Sequence, residues 1–130
     1  MRSPPVVLVV EDNAELRHVL REALGAEGYH VMATRDEVEA FEVLRGTRVD
    51  LLISDLTDPP NSEGALEAVR AEFPDLPVVA LSDPGSHPTL FFAAWQKPRG
   101  YRTLTKPFRL GELLSVSREV LGPAPQLPGR

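Results

Sequence analysis

Three apolar runs in this 130-residue chain end in side chains that can bind cations or phosphates. Pro5-Val6-Val7-Leu8-Val9-Val10 leads directly into Glu11 and Asp12, LLISD ends at Asp55, and VVALS ends at Ser82. A fourth segment, YRTLTKP, delivers Lys106 followed by Pro107. If these runs are neighbouring strands of one open parallel sheet, their carboxyl ends share the edge where such sheets bind ligands. Acidic oxygens, a hydroxyl and an ammonium gathered there would make a small site for a cation and a phosphoryl group.

The elements that must position these groups are legible in the hydrophobic pattern. Short apolar runs alternate with longer stretches of helical period, which predicts β–α units around a parallel sheet. Strands are expected at about 5–10, 29–33, 49–54, 77–82 and 101–105. The first, third and fourth are nearly continuous in Val, Leu and Ile, as befits central strands covered on both faces. Leu16, Val19, Leu20, Ala23 and Leu24 form one face of a first helix, with Asn13 placed to cap it and Gly25 or Gly28 to stop it. A second helix is expected at roughly 36–45 through Val38, Phe41 and Leu44, ending at Gly46. A third spans roughly 62–73 through Leu66, Val69 and Phe73, with Ser62 as cap and Pro74 as terminator. The last, about 109–121, presents Leu110, Leu113, Leu114, Val116, Val120 and Leu121. Between 83 and 100, Pro84, Gly85, Pro88, Pro98 and Gly100 leave room for one short helix near 88–97. The tail GPAPQLPGR reads as a disordered end or the start of a linker.

Composition bounds the function. A 42% hydrophobic content over 130 residues suits one domain with a core of ordinary size. No apolar stretch approaches the roughly 20 residues that cross a bilayer, and no leader pattern opens the chain, so a soluble cytoplasmic protein without a membrane partner is expected. Zero cysteines exclude disulfides, thiolate catalysis and Cys-based zinc sites. A net charge of −5, with 14 scattered basic residues, argues against nucleic-acid binding by this segment.

Taken together and in this order, VVLVVEDN, LLISDL, VVALS and LTKPF resemble a bacterial two-component response regulator receiver domain, of the CheY-like superfamily, over about residues 5–121. The resemblance implies a single doubly wound (βα)5 flavodoxin-like domain over 1–121, sheet order 2-1-3-4-5, with 122–130 as tail. It implies that Asp55 accepts a phosphoryl group from a phosphohistidine on a sensor histidine kinase or phosphotransfer protein. Asp12 would be a direct magnesium ligand, Glu11 would act through water, and Asp55 and the Thr57 backbone carbonyl would complete the protein's share. Ser82 would bond a phosphoryl oxygen and Lys106 would neutralise another, and the Lys106–Pro107 bond is commonly cis in such domains. Phosphorylation would then switch the 83–105 surface, and homodimer or effector contacts are expected through 83–105 and 109–121. No enzymatic turnover is implied.

Elementary electrostatics asks for the same set. Two carboxylates about 4 Å apart at an effective dielectric near 20 repel by about 4 kcal/mol, so Glu11, Asp12 and Asp55 together need a counterion. Magnesium, a hard ion taking one or two carboxylates plus water and phosphate oxygens, suits them. A cation and Lys106 nearby would also keep Asp55 ionised for attack.

Several residues depart from the pattern. Receivers usually carry an aromatic three residues before the lysine, where this chain has Thr103; Tyr101 lies two residues earlier on the same strand face. Asp83 follows Ser82 where a small residue is usual, and the loop after Asp55 carries Asp58. Thr103, Asp83 and the unusual 83–100 region motivate a competing reading as a pseudo-receiver that binds proteins without phosphorylation. A haloacid-dehalogenase-type phosphatase is disfavoured because its second Asp follows two residues after the first, and here Asp58 is three on. A flavodoxin-like FMN carrier is disfavoured by the acidic loop after strand one. His18, His30 and His87 share no ligand spacing, and the stretch Leu90–Trp95 reads as core with part of an exposed patch.

Overall fold

Each apolar run becomes a strand of one parallel sheet in the computed structural model, which describes residues 3–55, 67–82 and 101–122. The strands are β1 (Val6–Val10), β2 (His30–Thr34), β3 (Leu51–Asp55), β4 (Val78–Ser82) and β5 (Tyr101–Thr105). Their order is β2-β1-β3-β4-β5, as the resemblance implies, and every neighbouring pair is parallel. Helices α1 (Ala14–Ala26), α2 (Glu37–Gly46), α3 (67–72) and α4 (Leu110–Leu121) connect and follow them. The short helix expected at 88–97, the start of the helix expected at 62 and the tail lie outside the described residues.

Pleating divides the core into two layers, because successive side chains of a strand face opposite ways. Val7, Val9, Leu51, Ile53, Val79, Leu81 and Leu104 pack with Leu20 and Leu24 of α1 and Leu113 of α4. Leu8, Val10, Leu52, Val78 and Ala80 pack on the other face with Ala40 and Leu44 of α2 and Val69 of α3. All five residues of both β3 and β4 are buried, which accounts for their unbroken hydrophobic sequence.

Element ends differ slightly from expectation, for local reasons. Gly25 lies inside α1; the residue that turns the chain is Gly28, whose φ of 98° belongs to the left-handed region that glycine adopts freely. Tyr29 precedes β2 instead of opening it, and its hydroxyl donates to the Gly122 carbonyl at 3.2 Å, tying the start of β2 to the end of α4. Asp36 stands outside α2 as its cap, its Oδ1 accepting from the Glu39 N–H at 2.9 Å, so the helix begins one residue later than expected. Asn13 caps α1 as expected, its Oδ1 accepting from the Leu16 N–H at 2.9 Å. Among the described residues no helix is long and apolar enough to cross a membrane. Tyr29→Phe removes one hydrogen bond while keeping the ring buried, so a loss of about 1 kcal/mol in urea unfolding is expected.

Candidate functional site

Strand order alone decides where a ligand can sit. The chain leaves β1 for β2 on one side and returns to β3 on the other, so the connections diverge between β1 and β3 and open a crevice at their carboxyl ends. Val10 pairs with Ser54, which sets Glu11 beside Asp55 at that crevice. Asp55 pairs with Leu81, Ser82 pairs with Thr105, and the Lys106 N–H donates to the Ser82 carbonyl at 2.7 Å. The four strand ends therefore form one continuous rim.

Pleat parity then selects which side chains meet. Glu11 continues the series Val7, Val9; Asp55 continues Leu51, Ile53; Lys106 continues from Leu104, and all of these belong to the layer against α1 and α4. Lys106 Nζ donates to Asp55 Oδ2 at 3.1 Å and stands 3.5 Å from Glu11 Oε1. Glu11, Asp12 and Asp55 each offer a carboxylate oxygen within 4.8 Å of the others. Ser82 is buried at the neighbouring strand end but has the parity of Val78 and Ala80, the opposite layer. Thr57, Asp58 and Asp83 lie outside the described residues, and Thr103 is exposed on β5. The Lys106–Pro107 peptide is cis, matching the expectation.

Burial makes the cluster's charge costly. Glu11 is only 1% exposed and Asp55 8%, whereas Asp12 faces solvent. Glu11 Oε2 accepts from the Asn13 N–H at 3.1 Å, while its buried Oε1 has no hydrogen-bond partner. Burial pushes the Glu11 carboxyl up to about 7; the Asn13 amide opposes this, the Asp55 carboxylate adds to it, and Lys106 opposes it. Lys106→Met is therefore expected to raise Glu11 further, which a carboxyl-carbon NMR titration without divalent ions would read.

A buried Glu11 oxygen without a hydrogen bond, 3.5 Å from the Lys106 ammonium, and two further carboxylates within 4.8 Å, one of them open to solvent, fit a hard divalent cation of the magnesium type. The sequence reading identified the three carboxylates and Lys106. It missed the Asn13 amide bond to Glu11, and it missed Arg17, whose Nη1 donates to the Glu11 carbonyl at 2.9 Å and to the Asp12 carbonyl at 3.5 Å. The signal available was an arginine in the first turn of α1, where side chains point back toward the helix start. Beside the site, Leu16, Val19, Pro107, Phe108 and Leu110 line an apolar groove of about 500 Å³ that Lys106 completes.

The sequence matches the response regulator receiver domain family over residues 7–118. It is 30% identical over 125 residues to the DNA-binding transcriptional regulator NtrC of Rhizobium meliloti, covering 95% of this chain and 25% of that protein. It is 33% identical over 117 residues to the response regulator MprA of Mycobacterium ulcerans, covering 88% and 49%. The chain thus spans between a quarter and a half of the length of these relatives. Among solved structures, the chemotaxis protein CheY4 of Vibrio cholerae is similar with a TM-score of 0.78 and 27% identity, over 90% of this chain and 98% of that one. A response regulator from Thermotoga maritima gives a TM-score of 0.75 at 29% identity, over 90% and 97%.

Proposed function

Because the chain belongs to the response regulator receiver domain family of two-component systems, we propose that Asp55 accepts a phosphoryl group from a phosphohistidine on a sensor histidine kinase or phosphotransfer protein. The observation that carries this reading is a buried Asp55 carboxylate, 3.1 Å from Lys106 Nζ and beside two more carboxylates at one strand edge. An ionised carboxylate needs no base to attack phosphorus. The P–O bond to Asp55 forms as the P–N bond of the donor breaks, and the departing imidazole takes its proton from solvent. Lys106 then balances charge on the transferred oxygens.

Asp12 and Asp55 would hold magnesium directly, with Glu11 through water and the Thr57 carbonyl completing the set. When bound, the ion would supply positive charge to the phosphoryl oxygens. The domain would act as an acceptor in a relay and not as a turnover enzyme, and the cytoplasm, where such kinases present their phosphohistidines, would be its compartment. The apolar groove continuous with Lys106 supports a protein donor docking next to the acceptor. Output through the 83–105 and 109–121 surface is part of the same proposal. Thr103, exposed where an aromatic is usual, favours one second reading, a pseudo-receiver that binds partners without phosphorylation.

One experiment separates them. Incubation with acetyl phosphate and magnesium is expected to add a single phosphoryl group, located at Asp55 by peptide mapping and absent when EDTA replaces magnesium. An intact mass that never changes would reject the phospho-acceptor and leave the pseudo-receiver.

A further inference from the structure

Resting on the cation-site reading above, we propose that Arg17 is a positioning residue for that site, holding the backbone turn from which Glu11 and Asp12 project. Only residues 11–13 separate the end of β1 from the start of α1, and both candidate metal carboxylates of this segment sit in that turn. Its donors are held from elsewhere: the Glu11 N–H by the Thr34 carbonyl at 3.1 Å, and the Asn13 N–H by Glu11 Oε2 at 3.1 Å. The carbonyls of Glu11 and Asp12 are held by Arg17 Nη1, at 2.9 and 3.5 Å. Arg17 is itself fixed in the first turn of α1, where its N–H donates to the Asn13 carbonyl at 2.9 Å. The half-buried guanidinium therefore clamps the two peptide groups on either side of the Asp12 Cα.

This matters most for Asp12. Glu11 has its own anchors in Asn13 and Lys106, but Asp12 is exposed, so its carboxylate is aimed by its backbone. An outer group that orients a ligand this way sets metal affinity without touching the metal. Arginine suits the task, since its planar fork offers several donors from one rigid group and keeps its charge at any pH the fold survives.

The test is magnesium affinity of the folded chain, measured by titration calorimetry. Arg17→Met is expected to weaken binding about tenfold, and Arg17→Lys, with the charge but a shorter reach, to recover part of that loss. Arg21→Met removes the same charge from an exposed position one turn further along α1 and is expected to bind as the wild type does. Circular dichroism confirms folding of each variant, with Arg17→Gln replacing Arg17→Met if the latter does not fold. Wild-type affinity in Arg17→Met, or an equal loss in Arg21→Met, would overturn the positioning role. Failure of the wild-type chain to bind magnesium would instead overturn the cation site itself.

Discussion

Asp55→Asn is expected to abolish phosphoryl uptake from acetyl phosphate altogether, because it removes the carboxylate to which Lys106 Nζ donates at 3.1 Å. Asparagine is close in size and leaves a carbonyl oxygen at the same strand end, so the sheet has no reason to rearrange. Its amide is not a nucleophile toward phosphorus at neutral pH, and it offers a weaker ligand to a divalent ion. Two further effects accompany the lost adduct. Glu11 falls from about 7 toward its ordinary range, since the Asp55 carboxylate is one of the causes that raise it. Magnesium affinity drops as one carboxylate of the three disappears. Intact-mass spectrometry reads the first result, and an adduct persisting on Asp55→Asn would move the acceptor to another residue.

Without divalent ions the protein is expected to lose stability as the pH rises from about 4.5 toward about 7. Glu11 is an acid whose folded pKa, about 7, exceeds the ordinary value of 4.5. Below 4.5 both folded and unfolded chains hold this proton and its contribution is level. Between the two values the unfolded chain releases the proton first, so each step upward in pH favours unfolding. Above about 7 the loss levels off, with about 3 kcal/mol as its upper bound at roughly 1.4 kcal/mol per pKa unit, since solvent reaching the cluster beside exposed Asp12 screens part of the charge. Magnesium is expected to flatten this slope by compensating the ionised carboxylate, and Glu11→Gln to remove the Glu11 share with or without metal. Urea unfolding at pH 5 and pH 8, with EDTA or magnesium, provides the comparison. Equal slopes for wild type and Glu11→Gln would show that burial of Glu11 carries no such penalty.

How much of this was readable from the residues depends on whether the relevant interaction is local. Asn13 is a legible helix cap because its bond to the Leu16 N–H spans three residues. The choice between Gly25 and Gly28 was not legible, since both are glycines at plausible stopping points, and in the fold Gly25 stays helical while Gly28 takes the left-handed φ of 98°. Arg17 escaped notice for a related reason: nothing in its own heptad distinguishes a solvated helix arginine from one whose fork reaches two carbonyls in the preceding turn. Ser82 shows a subtler limit. Its place at the end of β4 and its parity with Val78 and Ala80 follow from the hydrophobic run and strand alternation, yet that this parity is out of phase with Asp55 follows from inter-strand pairing.

The sequence by itself determined which segments become strands, that four of them end in Glu11-Asp12, Asp55, Ser82 and Lys106, and hence what chemistry could be assembled. Periodicity and capping are short-range, so they survive in one dimension. Tertiary structure alone decided that Lys106 lies 3.1 Å from Asp55, that one oxygen of Glu11 is buried without a hydrogen bond, and that Arg17 grips the turn between β1 and α1. Those distances come from register and strand order, which are set by how whole layers pack and not by the residues adjacent in the chain.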